Sequence, residues 1–267
     1  MQDWKTMEPD VWNRERAESF KDGDTVRAYR FRAPYPDETF KILSKLISGK
    51  PRIVLDAGCG NGAIARNLVE LVDRVDAVDF SLPMIEEAKR LPNGDNPRIH
   101  WIHDKIEDAT LDPPYSLIIA GMSLHWMDWD VVAPRFQKML TTNGHIAVVY
   151  NVFSPPPWDE ELKKLRSRYS QTKSTGFKPP QIVDELEKQG KFAKCGVKET
   201  APIIYTQSID AYVEQFHSRS DMARSRIGKE AADRFDNELR ALVSGYVKGE
   251  TIEIELHARV TWGLPRC

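Results

Sequence analysis

Cysteine is scarce in this chain, which has only Cys59, Cys195 and Cys267 among its 267 residues. Widely spaced and odd in number, they exclude a disulfide framework or a zinc knuckle and fit a reducing compartment. Net charge is also lacking. With 38 basic residues against 40 acidic ones the chain carries −2, which leaves no sequence-wide footprint for nucleic acid. Long apolar runs are missing too. The longest, near residues 116–124, falls far short of the ~20 residues that span a bilayer, and the polar start Met1-Gln2-Asp3-Trp4-Lys5 has no signal-peptide core. The expectation is a cytoplasmic protein without membrane insertion or a nucleic-acid partner. No metal is expected: the closest histidines, His100 and His103, fall on one strand at positions that face opposite sides. Internal repeats and low-complexity tracts are absent.

The chain does have apolar residues in quantity, 41% of the total at a mean hydropathy of −0.50, enough for the core of one large domain. Between Arg52 and Tyr150 short β-rich runs alternate with helical spacing, as in βαβ units around a parallel sheet. Five strands are predicted there: 52–55, 75–78, 98–102, 116–120 and 145–150. The first helix buries Ile64, Leu68, Leu71 and Val72. The second starts at Ser81 as N-cap with Pro83 in its first turn, and buries Leu82, Ile85, Ala88 and Leu91. After Tyr150 the run Ser154-Pro155-Pro156-Pro157 breaks the pattern. Polar helices are predicted over 158–169 and 180–190, a strand between Val197 and Tyr205, and helix from 208 to 247. The alternating segment Thr251 to Val260 reads as an edge strand with one wet face. The expected division is a core of about 27–150, 197–206 and 251–267, with a helical cap of about 151–196 and 207–250 and an N-terminal helix over 1–26.

The most informative stretch is Val54-Leu55-Asp56-Ala57-Gly58-Cys59-Gly60-Asn61-Gly62-Ala63, a strand entering a glycine turn and then a helix. Such a turn lets a ligand lie against main-chain amides at a helix N-terminus. Its spacing also satisfies the dinucleotide fingerprint, so an NAD(P)-dependent oxidoreductase is one reading. Asp56 argues against it. A carboxylate at that strand end opposes a pyrophosphate and attracts a cationic amino group, which S-adenosylmethionine carries. Asp79 lies about 20 residues past the first glycine, where an acid accepts hydrogen bonds from ribose hydroxyls. Asp104 supplies a third acid at the end of the third strand, able to accept from an adenine amine.

These residues, with Ser123-Leu124-His125-Trp126 and the upstream run Tyr29-Arg30-Phe31-Arg32-Ala33-Pro34-Tyr35-Pro36, resemble the class I S-adenosylmethionine-dependent methyltransferases. The similarity is to the small-molecule branch with trans-aconitate and ubiquinone or menaquinone enzymes. It implies an α/β, Rossmann-like seven-stranded sheet, mostly parallel with the last strand antiparallel, plus a helical substrate cap. By the same resemblance Gly58 and Gly60 line methionine and ribose, Asp79 holds the ribose, and Asp104 with Ile106 binds adenine. Phe80 and Met84 would pack on the adenine face, and Arg32 would meet the methionine carboxylate. Tyr29, Asp56, Lys105 and Met122 complete the expected cofactor contacts.

The expected reaction is in-line methyl transfer to a small, anionic organic acceptor, yielding S-adenosylhomocysteine. Alignment in a dry site supplies most of such a rate, and a base is needed only where the acceptor must lose a proton. His125, at the carboxyl edge of the sheet, is the first candidate base, and His217 in the cap helix is the second. Expected acceptor contacts are Tyr35, His125, Trp126, His217, Arg219 and Arg224, the arginines for their bidentate fork. Trp129, Phe153, Trp158, Tyr205 and Phe216 are further candidates for aromatic walls. A non-catalytic S-adenosylmethionine-binding regulator on the same fold is the third reading. The assembly expected is a monomer or homodimer.

Overall fold

The computed structural model describes residues 14–170 and 181–266. The start of the expected N-terminal helix, Pro180 at the head of the expected helix 180–190, and Cys267 lie outside them. In chain order the elements are α1 (Arg14–Ala17), α2 (Gly23–Tyr29), α3 (Asp37–Leu46), β1 (Ile53–Ala57), α4 (Ala65–Leu68), β2 (Arg74–Asp79), α5 (Leu82–Arg90), β3 (Ile99–His103) and β4 (Tyr115–Gly121). There follow α6 (Trp129–Met139), β5 (Leu140–Phe153), α7 (Asp159–Tyr169), α8 (Ile182–Lys188), β6 (Phe192–Glu199), β7 (Ile203–Ser208), α9 (Ile209–Glu214), α10 (Arg224–Ile227), α11 (Lys229–Ser244) and β8 (Thr251–Pro265).

The strands form one sheet in the order β3-β2-β1-β4-β5-β8-β6, with β7 also on β8. The pairs among β1 to β5 are parallel, whereas β8 runs antiparallel to β5, β6 and β7. Helices cover both faces, so the central strands are buried along most of their length; in β4 only Gly121 escapes full burial. One face packs Leu55, Val78 and Ile118 against α6 and α8. The other packs Val54, Val75 and Leu117 against α3 and α4. Helix α5 starts as expected: Ser81 Oγ accepts from Met84 N at 3.3 Å, and Lys89 and Arg90 in the last turn complement the helix dipole.

Three expectations change. The single strand foreseen at 197–205 is two, because Pro202 has no N–H to donate and Thr200 Oγ1 instead accepts from Ala258 N at 3.0 Å. The closing strand has the wet face that its alternation implies but is not an edge, since β5 flanks one side and β6 and β7 share the other. Alternation reports the burial of a face and says nothing about neighbours in the sheet. Finally, residues 182–192 belong with the core, as Ile182, Val183, Leu186 and Phe192 all pack beneath the sheet.

The cap grows from the sheet itself. Ile252 and Ile254, at the start of β8, join Leu162 and Leu165 of α7, Tyr212 of α9, and Phe235 and Leu239 of α11 in a separate apolar cluster. Its aromatics meet edge to face, Tyr212 with Phe216 at 5.4 Å and Phe216 with Phe235 at 5.6 Å between centroids. One strand therefore belongs to both the sheet and the cap's core.

Candidate functional site

The carboxyl ends of β1, β2, β3 and β4 open together, where ligands of open α/β sheets bind. The cavity there measures about 1520 Å³ and runs from the glycine turn to the cap, above the ~300 to 1000 Å³ common for one small ligand. There is room for two molecules side by side.

The turn after β1 is held by the chain's own backbone. Gly58 N and Cys59 N both donate to Val78 O at 2.9 Å. Gly58 sits at φ +71, and a Cβ there would lie 2.6 Å from Ser123 Cβ, so no larger residue fits. Asp79 fastens the turn from the next strand, Oδ2 accepting from Gly60 N and Oδ1 from Ser81 N, each at 2.8 Å. Burial nevertheless raises its pKa, with those two amides opposing. Its carboxylate lines the cavity, as do Phe80, Met84, Asp104, Lys105 and Ile106. Asp104 Oδ1 accepts from Lys105 N at 2.8 Å.

Asp56 is almost fully buried, and its Oδ2 accepts from Ala65 N at 3.0 Å, fixing the start of α4. Burial pushes its pKa up to about 7, against the pull of that amide. The fixed negative charge expected of it is therefore conditional: near neutrality the site holds a proton that a neighbouring cation would displace.

Arg32 bridges the two halves. Its Nε and one terminal nitrogen donate to Ser218 Oγ and O at 2.7 and 2.8 Å. The other terminal nitrogen donates to Tyr29 Oη at 2.9 Å, while the guanidinium stacks 3.9 Å from the Tyr29 ring. Met122, after β4, adopts φ +54, an uncommon conformation for a residue with a side chain and one that concentrates at functional sites. Its amide donates to Val149 O at 2.9 Å.

Every expected cofactor contact lines this cavity, together with Tyr35, His125, Trp126 and Arg219. His217 and Arg224 do not. His217 is fully buried, with Nε2 2.7 Å from Asp236 and Nδ1 2.9 Å from Met222 O. Arg224 spans Glu214 at 2.6 Å and Asp236 at 3.2 Å. Both hold the cap together instead, because the run from 215 is a 3-10 turn, a loop and then α10 rather than one helix. Of the other aromatics foreseen as walls, Phe153 and Phe216 line the cavity, while Trp129, Trp158 and Tyr205 do not. Burial, and then Arg32, push the pKa of His125 down to about 3, so it remains neutral near pH 7 and accepts a proton poorly. Residues that the sequence did not single out also line the cavity, Asn151, Arg166 and Ser218 among them. Arg166 had a signal, since it follows Leu162 by four residues on the buried stripe of α7. Among the described residues no group of acidic, histidine and cysteine side chains could hold a metal, and no helix is long and apolar enough to cross a membrane.

Sheet order, an antiparallel final strand and an acid-rimmed glycine turn are those of the class I methyltransferase fold. Residues 54–144 match the family model described as a methyltransferase domain, and the similarities support an S-adenosylmethionine-dependent methyltransferase. An uncharacterized methyltransferase of Mycobacterium tuberculosis is 26% identical over 160 residues, 54% of this chain and 79% of that protein. A malonyl-[acyl-carrier protein] O-methyltransferase of Halalkalibacterium halodurans is 29% identical over 119 residues, 42% of each chain. In fold, a protein described as a type II methyltransferase from Anaeromyxobacter dehalogenans aligns over 88% of this chain and 99% of its own, at TM-score 0.65 and 21% identity. A methyltransferase from Thiobacillus denitrificans, solved with S-adenosyl-L-homocysteine, aligns over 91% and 97% at TM-score 0.50 and 16% identity.

Proposed function

We propose that the protein transfers the methyl group of S-adenosylmethionine to a small anionic organic acceptor held between the sheet edge and the cap. When bound, this cofactor supplies an electrophilic methyl carried on a sulfonium. The observation that carries the reading is Asp79, whose carboxylate is clamped by Gly60 N and Ser81 N at the wall of the cavity. A carboxylate fixed in that way is preorganised for a pair of ribose hydroxyls. The chain fits the group elsewhere too. Gly58 admits nothing larger, Met84 and Ile106 offer buried apolar surface for a base, and Asp104 can accept from an amine.

His125 serves here as a neutral wall beside Trp126, 5.0 Å away between ring centroids, not as a base. An acceptor already ionised near neutrality suits such a site, because no proton has to be removed before attack. A carboxylate meets that condition. It agrees with relatives named as malonyl-[acyl-carrier protein] O-methyltransferases, although this chain spans less than half of their length. Incubation with S-adenosylmethionine and a panel of mono- and dicarboxylic acids, followed by mass spectrometry, tests the reading. It predicts S-adenosylhomocysteine and a product heavier by one methylene. Steady absence of turnover with cofactor bound would favour a non-catalytic binder.

A further inference from the structure

In the cap half of the cavity two arginines share one acid. Arg166 of α7 donates to Asp221 Oδ2 at 2.9 Å, and Arg219 Nε donates to Asp221 Oδ1 at 3.2 Å. Ser170 Oγ donates to the same Oδ2 at 3.2 Å. Among the described residues, neither guanidinium makes any other side-chain hydrogen bond, and Arg166 Nε is buried without an acceptor. Lys163 cannot be balancing Asp221, because it is committed to Asp159 at 2.7 Å and Glu160 at 2.8 Å. Among the described residues, Arg166, Arg219 and Asp221 taken together therefore carry one surplus positive charge in a cavity wall.

The energetics fit an incomplete site. Although burial opposes it, Arg219 and Arg166 hold the Asp221 carboxyl well below the usual carboxylate range. The neighbouring Arg219 charge, then burial, lowers the pKa of Arg166. Two like charges are thus close enough to repel, and one shared carboxylate does not relieve both. A second anion would.

We infer that Arg166 and Arg219, positioned by Asp221, form a subsite for the carboxylate of the acceptor. The inference rests on the proposed methyl transfer for the identity of the ligand as acceptor, but the subsite stands on its own geometry. One surplus charge matches a monovalent carboxylate better than a phosphate dianion. The planar guanidinium fork of Arg166 pairs with a carboxylate's two oxygens in a way a lysine cannot. Arg166 anchors the subsite, since it is the more enclosed arginine, 27% exposed against 47% for Arg219.

The test is calorimetry on protein saturated with S-adenosylhomocysteine, titrated in separate arms with succinate, benzoate, inorganic phosphate and dimethyl succinate. At least one carboxylate should bind in a one-to-one complex, more tightly than phosphate, with no uptake of the neutral diester. Arg166→Gln should weaken it at least tenfold, Arg166→Lys less than that, and Arg219→Gln measurably, all with S-adenosylhomocysteine affinity within twofold of the parent. Binding of neither acid, equal binding by Arg166→Gln and Arg219→Gln, or preference for phosphate would overturn the assignment. If Arg166→Gln fails to fold, Arg166→Lys and Arg219→Gln carry the same comparison. Failure of the parent protein to take up S-adenosylhomocysteine, with arginine-dependent succinate binding intact, would instead overturn the proposed function and leave the subsite standing.

Discussion

The two halves of the cavity are held by different parts of the chain. Around the glycine turn the fixing atoms are backbone amides: Gly58 and Cys59 on Val78, Gly60 and Ser81 on Asp79. Across the cavity the fixing atoms are side chains from distant segments, with Arg32 on Ser218 and Arg166 and Arg219 on Asp221. A ligand half made of backbone is rigid and tolerates little change. A half made of long side chains can be re-specified one residue at a time.

The largest break in that contrast should come at Gly58. Gly58→Ala forces a Cβ to within van der Waals overlap of Ser123 at a positive φ, and should cost about 2 to 3 kcal/mol of stability and most cofactor affinity. Denaturant unfolding and calorimetry read both, whereas Arg219→Gln, at a half-exposed cap residue, should move neither. Asp79→Ala comes next, with S-adenosylhomocysteine binding weaker by about 1.5 to 3 kcal/mol for lost hydrogen bonds to a charged group. Unchanged affinity would remove Asp79 from the ribose.

Asp56 sharpens the comparison through pH. Its folded pKa, about 7, lies above the ordinary carboxylate value. Its contribution to stability is therefore fully present below about pH 4 and lost as pH rises through about 7. Cofactor affinity should run the other way. An ammonium group beside Asp56 favours the carboxylate, so the affinity for S-adenosylhomocysteine should rise towards pH 7 and level off above it. Asp56→Asn should flatten both profiles; an unaltered pH dependence would take Asp56 out of the account.

The smallest effect is expected at His125. With its pKa near 3, below the ordinary imidazole value, it stays neutral across the working range. At saturating cofactor, His125→Gln should lower kcat/KM for the acceptor by less than about tenfold and leave the pH profile between 5 and 8 as in the parent, whereas loss of a general base costs ~10²- to 10⁴-fold.

The same contrast decides what could be read from the sequence. Strands β1 to β5 and the acids at their ends were legible because βαβ units repeat a local pattern and Asp56, Asp79 and Asp104 follow it. The cap was not. Arg32 meets Ser218 across 186 residues of chain, and no periodicity reports such a meeting. The arginines at 219 and 224 looked equivalent, yet a break after Ser218 turns one to the cavity and the other to Glu214 and Asp236. Arg166 lay on a helix whose Leu162 and Leu165 announce a buried face, a signal outweighed by the charge of its neighbours. The burial that silences His125 as a base is likewise a property of the packed molecule.

The most direct measurement is a paired titration of the unmodified protein with S-adenosylhomocysteine and with NAD at neutral pH. A backbone-held site with Asp79 at the ribose and Asp56 able to ionise beside an ammonium group predicts one-to-one uptake of S-adenosylhomocysteine and none of NAD. Tight NAD binding with no heat from S-adenosylhomocysteine would contradict it.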